Sequence, residues 1–287
     1  MDTTFAELGL NERILTGVET LGFDTPTPIQ AAAIPAVLAG KDVVASAQTG
    51  TGKTAAFVLP ALQVIDTDPE GEKTDRPEVQ CQPQDGQQQS SQQQESQRRR
   101  QRGDKRRRNR TRDSQALIVT PTRELATQIE RVATTICKST DQRAVIITGG
   151  AKLKRQISAV QAGCDLLVAT PGRLLDLIEH HQVDLKNIKV FILDEADRML
   201  DMGFWPSVRR IVAACPKKRQ TLLFSATIPP SIKGTVDAML KDPVVIEVAH
   251  VGETADTVEE HLCPVTQGQK TQLLEALLSA GGAAGVQ

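Results

Sequence analysis

Tyrosine is absent from this chain of 287 residues, tryptophan occurs once and phenylalanine six times. So few rings leave little on which nucleobases can stack. Any bound nucleic acid would be held through phosphate and sugar, contacts that carry little sequence information. Long apolar runs are also missing, and none approaches the roughly 18–20 residues of a membrane span. The opening "MDTTFAELGL" has acids where a secretory signal has bases. We therefore expect a soluble, cytoplasmic protein with no membrane partner. Cys81, Cys137, Cys164, Cys215 and Cys263 form no C-x-x-C pair, which argues against a zinc ribbon or disulfide scaffold and for reduced intracellular thiols.

Net charge is −1, but the charges are segregated. Residues 67–115 hold 12 basic and 9 acidic residues, and the remainder holds 22 and 26. Within that segment, "CQPQDGQQQSSQQQESQ" (81–97) has almost nothing to bury, and "RRRQRGDKRRRNRTR" (98–112) has ten Lys or Arg against one Asp. Such a composition cannot offset its ordering entropy, so a disordered Gln/Arg-rich insertion is expected at 67–115.

On both sides of it, short apolar runs alternate with helical patterns. The runs are "DVVASA" (42–47), "ALIVT" (116–120), "AVIIT" (144–148), "DLLVA" (165–169), "VFIL" (190–193), "TLLFSA" (221–226) and "VVIEV" (244–248). Helical stretches include 53–65, 123–138 and 172–181. The alternation predicts an α/β fold whose mostly parallel sheet is covered by helices on both faces. After about residue 250 the pattern lapses, and "KTQLLEALLSAGGAAGVQ" reads as one amphipathic helix with a small-residue tail.

Two motifs carry chemistry. In "ASAQTGTGKTAAF" (45–57) an apolar strand enters a Gly-rich turn, and Lys53-Thr54 open a helix. Backbone N–H groups and a helix N-terminus there would cradle phosphates, with Lys53 on the outer ones and Thr54 on Mg²⁺. Ala47 stands where the usual pattern has glycine, while Gly50 and Gly52 supply the unusual backbone angles. In "VFILDEADRML" (190–200) a strand buried on both faces runs into Asp194 and Glu195. Taken alone the pair reads as a helix start. Beside a phosphate loop, Asp194 becomes a second Mg²⁺ ligand and Glu195 the group that activates water.

Six stretches in order, "GFDTPTPIQ" (22–30), "AQTGTGKT" (47–54), "PTRELATQ" (121–128), "TPGRLLD" (170–176), "DEAD" (194–197) and "SAT" (225–227), resemble the N-terminal half of a DEAD-box RNA helicase. The wording of "LDEADRMLDMGF" is nearest the bacterial RhlE-like branch. The resemblance covers about residues 5–265 outside the insertion. It implies a twisted RecA-like P-loop fold, with ATP and Mg²⁺ as cofactors and RNA as partner.

The same resemblance assigns roles by position. Phe5, Thr25 and Gln30 would hold adenine, and Ala47, Gln48, Thr49, Gly50, Thr51, Gly52, Lys53 and Thr54 the phosphates. Lys53, Asp194, Glu195, Ser225 and Thr227 would be catalytic, with Ser225 and Thr227 coupling hydrolysis to strand separation. Thr54 and Asp194 would take the metal. RNA would lie on Pro121, Thr122, Arg123 and Glu124, on Gly149 and Gly150, and on Thr170, Pro171, Gly172 and Arg173. Each of these groups follows an expected strand, so all three fall on one rim. Spacing alone does not separate RNA from DNA.

The implied organisation is an adenine-recognition segment at 1–30, a RecA-like domain at 31–250, and an interdomain segment with the start of a truncated second domain at 251–287. No "HRxGRxxR" stretch follows residue 250, so a monomeric fragment that binds nucleotide but hydrolyses it slowly is expected. The insertion, spanning ~35–40 Å by the usual ~5–6 Å × √n, would serve as a non-specific RNA tether acting through counterion release, or as a bare solvated spacer. Two rival functions stand beside the helicase: a non-catalytic RNA-binding module working through the arginine-rich arm, and a DNA translocase on the same sheet.

Overall fold

Residues 3–47, 50–66, 113–248 and 263–281 are described by a computed structural model. Its seven strands are β1 (Val43–Ser46), β2 (Ala116–Val119), β3 (Ala144–Ile147), β4 (Leu166–Ala169), β5 (Val190–Asp194), β6 (Gln220–Ser225) and β7 (Val244–Glu247). They form one sheet in the order β3-β4-β2-β5-β6-β1-β7, with every pair parallel. All seven apolar runs of the sequence are strands, most of them a residue shorter than the run.

Near-continuous apolar strands make sense once both faces are covered. Alternate residues enter opposite cores. Val43, Ala45, Ile118, Val168, Ile192 and Phe224 pack on one side; Val44, Val119, Leu167, Phe191, Leu193 and Leu223 pack on the other. The first face is covered by α1 (Glu12–Thr20), α2 (Pro28–Leu38), α3 (Lys53–Val64) and α4 (Arg123–Thr140). The second is covered by α5 (Leu153–Gln161), α6 (Pro171–Glu179), α7 (Ala196–Asp201), α8 (Trp205–Ala214) and α9 (Pro230–Met239). Among these, α3 is buried from Ala55 to Leu62. A fully buried Leu or Phe contributes roughly 1.5–3 kcal/mol, so the helix that follows the glycine turn is firmly seated.

Helix starts are set by local chemistry. Thr122 accepts a hydrogen bond from Leu125 N at 3.3 Å and caps α4. Pro171 opens α6, where its missing N–H costs nothing. Every one of these starts lies at the carboxyl end of a strand, the side on which open α/β sheets bind ligands.

The chain divides into two compact units, one through Ala249 and one from His250. Within the second, a short 3₁₀ turn at Gln267–Gln269 leads into α10 (Lys270–Gly281), whose Leu274, Leu277 and Leu278 are exposed. Residues 67–112, nearly all of the expected insertion, lie outside the described residues. Among the described residues no helix is long and apolar enough to cross a membrane.

Candidate functional site

The phosphate loop leaves β1 at Ala47, which is buried, and returns through Gly50 and Gly52 at φ +89° and +88°. These left-handed angles are open to glycine and costly for other residues. Gln48 and Thr49 fall outside the described residues. Lys53 is the first residue of α3 and 92% buried; its Nζ donates to the Ala47 carbonyl at 3.0 Å. Thr51 and Thr54 are half-buried on the same turn.

Asp194 ends β5 and is almost fully buried. Burial pushes its pKa up to about 7, against the opposing pull of the Lys53 ammonium and a hydrogen bond from Thr120 Oγ1 at 3.3 Å, while Glu195 raises it further. Lys53 and Asp194 come from different strands, yet the two charges feel each other. A carboxylate this poorly neutralised is matched by a cation. Mg²⁺ characteristically binds through one or two carboxylates, water and substrate phosphates. Asp194 and the Thr54 hydroxyl fit that demand. Among the described residues no group of three acidic, His or Cys side chains is placed to hold a metal ion.

Glu195 sits at φ +55°, a strained setting for a non-glycine residue. It is held there by its N–H, which donates to Phe224 O at 2.8 Å. Its buried carboxylate accepts from Arg198 Nη1 at 3.1 Å. Asp197 is tied to the neighbouring strand end. Asp197 N donates to Ser225 Oγ at 3.1 Å, and Asp197 Oδ2 accepts from Thr227 N at 2.9 Å and Thr227 Oγ1 at 3.2 Å. Burial works to raise the Asp197 pKa, but the hydrogen bonds from this cluster win and hold it below the usual carboxylate range. Ser225 Oγ in turn donates to Thr227 O at 2.7 Å.

In the segment expected to hold adenine, Gln30 does something its sequence position did not announce. Its Oε1 accepts from Thr27 N and its Nε2 donates to Gly52 O, each at 3.0 Å. The amide therefore buttresses the phosphate loop and keeps one donor and one lone pair for a ligand. Thr25 is exposed. Phe5 lies in the first core at 4% exposure, on the 3₁₀ turn Phe5–Leu8, so its ring has at most an edge to offer. Phe23 is partly buried against the same core.

The expected RNA residues stand at the ends of β2, β3 and β4, three adjacent strands. Pro121 and Pro171 are buried, Thr122 and Thr170 are the caps of α4 and α6, and Glu124 and Gly172 are exposed. Arg123 lies over the Gly149-Gly150 turn. A Cβ on Gly150, at φ +77°, would come within 2.0 Å of its Nη1. Arg173 Nη1 donates to Ala151 O at 3.4 Å, so both arginines border one turn. A shallow surface groove lined by Arg123, Glu124, Thr127, Gln128 and Arg131 continues along α4. Thr120, Asp197 and Arg198 were not singled out from the sequence. Asp197 and Arg198 are legible as part of the acidic motif, but no pattern marks Thr120.

A family model described as DEAD/DEAH box helicase matches residues 27–235. The chain is 36% identical over 274 residues to the ATP-dependent RNA helicase CshA of Limosilactobacillus reuteri, covering 96% of this chain and 47% of that one. It is 37% identical over 284 residues to the ATP-dependent RNA helicase RhlB of Pseudomonas syringae pv. tomato, covering 98% and 62%. A crystal structure of a DEAD box protein from the hyperthermophile Methanococcus jannaschii superposes with a TM-score of 0.67 at 31% identity, covering 97% of this chain and 64% of the other. The chain thus spans about half to three fifths of the length of these curated relatives.

Proposed function

Since this chain belongs to the DEAD/DEAH box helicase family, we propose that it is the ATP-binding half of an ATP-dependent RNA helicase, with RNA-stimulated hydrolysis coupled to local duplex unwinding. The observation that carries this reading is that Lys53, bonded to the Ala47 carbonyl just beyond β1, and Asp194, at the end of β5, are both buried on the same rim with only β6 between their strands. A triphosphate with its metal is the ligand that needs both charges at once.

In this reading Lys53 leaves the Ala47 carbonyl for phosphate oxygens, while loop N–H groups at Gly50 and Gly52 face the phosphate chain. Thr54 and Asp194 hold Mg²⁺, which supplies charge neutralisation of the leaving phosphates. Glu195 orients water and takes its proton, steadied by Arg198. The Asp197–Ser225–Thr227 cluster links the acidic strand end to its neighbour and is placed to pass on a change in phosphate occupancy. Gln30 keeps its free donor and acceptor for the adenine edge, beside Thr25 and Phe5. RNA runs over the turns after β2, β3 and β4, gripped by backbone, hydroxyl and arginine groups.

The domain boundaries at 30 and 250, the RhlE-like branch, a monomeric state and a cytoplasmic location belong to the same proposal. The boundary at 250 is supported by the division into compact units after Ala249, and the branch by the wording of "LDEADRMLDMGF". A second RecA-like domain, as the partner of this one, would contribute the arginine finger, a group worth ~10³–10⁵ in rate in related hydrolases. These 287 residues alone are expected to bind nucleotide and turn it over slowly. Titrating a fluorescent ATP analogue with and without Mg²⁺ tests the reading: metal-dependent binding that Lys53→Ala weakens supports it, and binding indifferent to both contradicts it.

A further inference from the structure

The start of α5 carries an unusual concentration of positive charge. Lys152, Lys154 and Arg155 are all exposed, and the helix sequence LKRQISAVQ contains no acid at all. Cations at a helix N-terminus face the positive end of the macrodipole, an arrangement that is unfavourable unless an anion relieves it. Two further cations crowd the same turn, since Arg123 lies over Gly149 and Gly150 and Arg173 reaches the Ala151 carbonyl.

A second feature of the turn is independent of charge. Gln156 is 93% buried, and its Nε2 donates to Thr148 O at 2.8 Å, which sets its amide against the turn. Its Oε1 has no hydrogen-bond partner. A buried acceptor left unmatched has given up its hydrogen bonds to water and gained none in return. One turn therefore holds two unmet needs, for anions outside and for a hydrogen-bond donor within. A ribose-phosphate strand brings both in each repeating unit.

We propose that Lys152, Lys154 and Arg155 form a phosphate-gripping surface that extends the RNA track beyond the Gly149-Gly150 turn. The proposal rests on the reading of the β2–β3–β4 rim as the RNA seat, with which this surface is continuous. It adds contacts that none of the six family stretches contains. Lys152 and Arg155, three residues apart, share one helix face, and Lys154 flanks them. A strand crossing Gly149 and Gly150 would meet all three on leaving the turn.

The test is binding of the whole chain to a short single-stranded RNA across a salt series. The triple variant Lys152→Ala, Lys154→Ala, Arg155→Ala is compared with the unmodified chain and with Lys217→Ala, Lys218→Ala, exposed cations just ahead of β6 on the opposite rim. The arginine-rich insertion is present in every variant, so differences in slope report the substitutions. Three lost phosphate contacts should lower the log–log salt slope by about 2, so that the affinity lost between about 50 and 200 mM salt shrinks about 20-fold. The Lys217/Lys218 variant should keep the original slope. If the triple variant keeps it too while Arg173→Ala weakens binding, the RNA rim stands and this proposal is overturned. If the unmodified chain binds no RNA at all, the rim reading falls and takes the proposal with it.

Discussion

The two halves of the sheet's carboxyl rim solve different problems. At the ends of β1, β5 and β6, charged side chains are drawn inside: Lys53, Asp194 and Glu195 are all more than nine-tenths buried. At the ends of β2, β3 and β4 the chemistry is outside, with Arg123, Glu124, Gly150 and Gly172 exposed. Buried charges are expensive unless a partner of opposite sign completes them, so in the proposed reading the first half takes a compact, multiply charged ligand with its metal. Exposed glycine, threonine and arginine suit a long chain held weakly at many points. One sheet thus presents a socket and a track side by side, joined where β2 pairs with β5.

The comparison can be broken from the socket side first. Lys53→Ala should weaken Mg²⁺–ATP binding about 10–150-fold, the loss of a charge-assisted hydrogen bond, while RNA affinity on the track stays unchanged by fluorescence anisotropy. Equal losses of both ligands would merge the two halves into one site.

Asp194→Asn should remove the metal dependence of nucleotide binding and, in the metal-free chain, alter stability with pH. The folded pKa of about 7 lies above the unfolded value of 3.8, so the folded state binds more protons in between. Stability from this group is therefore highest below about pH 4 and declines as pH rises through 7. The Asn variant should melt higher than the parent at pH 8 and match it near pH 4. A parent whose melting temperature is flat across that window would argue against a poorly neutralised Asp194.

From the track side, Gly150→Ala places a Cβ against Arg123 Nη1 at a left-handed φ. It should cost about 1–2 kcal/mol of stability and lower RNA affinity with ATP affinity kept. The smallest effect is expected at the seam between adenine segment and loop. Gln30→Ala removes two neutral hydrogen bonds, about 1 kcal/mol, and should raise the Kd for ATP roughly fivefold.

Much of this was legible in the sequence, because strands buried on both faces and a Gly-rich turn ending in Lys-Thr are local patterns. The seven apolar runs and the helices after them follow from periodicity and the parallel-sheet rule, while the choice of motifs grouped along one rim came from the resemblance to the family. Contacts made across the fold were not legible. Nothing near Thr120 signals that its hydroxyl meets a carboxylate 74 residues later. The resemblance assigns the Gln30 amide to the adenine edge, but no sequence signal showed that it also bonds Thr27 N and Gly52 O. Phe5 looked like a ring in a polar segment, yet with Leu8 it fills the first core. The strained φ of Glu195 is likewise a product of pairing with β6 rather than of its neighbours in sequence.

The most direct test is a double-mutant cycle on Mg²⁺–ATP affinity with Lys53→Ala, Asp194→Asn and their combination, measured by calorimetry. If both side chains hold one metal-bound triphosphate, the effects will not add, and a coupling energy within about 0.5–3 kcal/mol is expected. Additive losses, with coupling indistinguishable from zero, would mean that the two residues serve separate ends and that no shared socket exists.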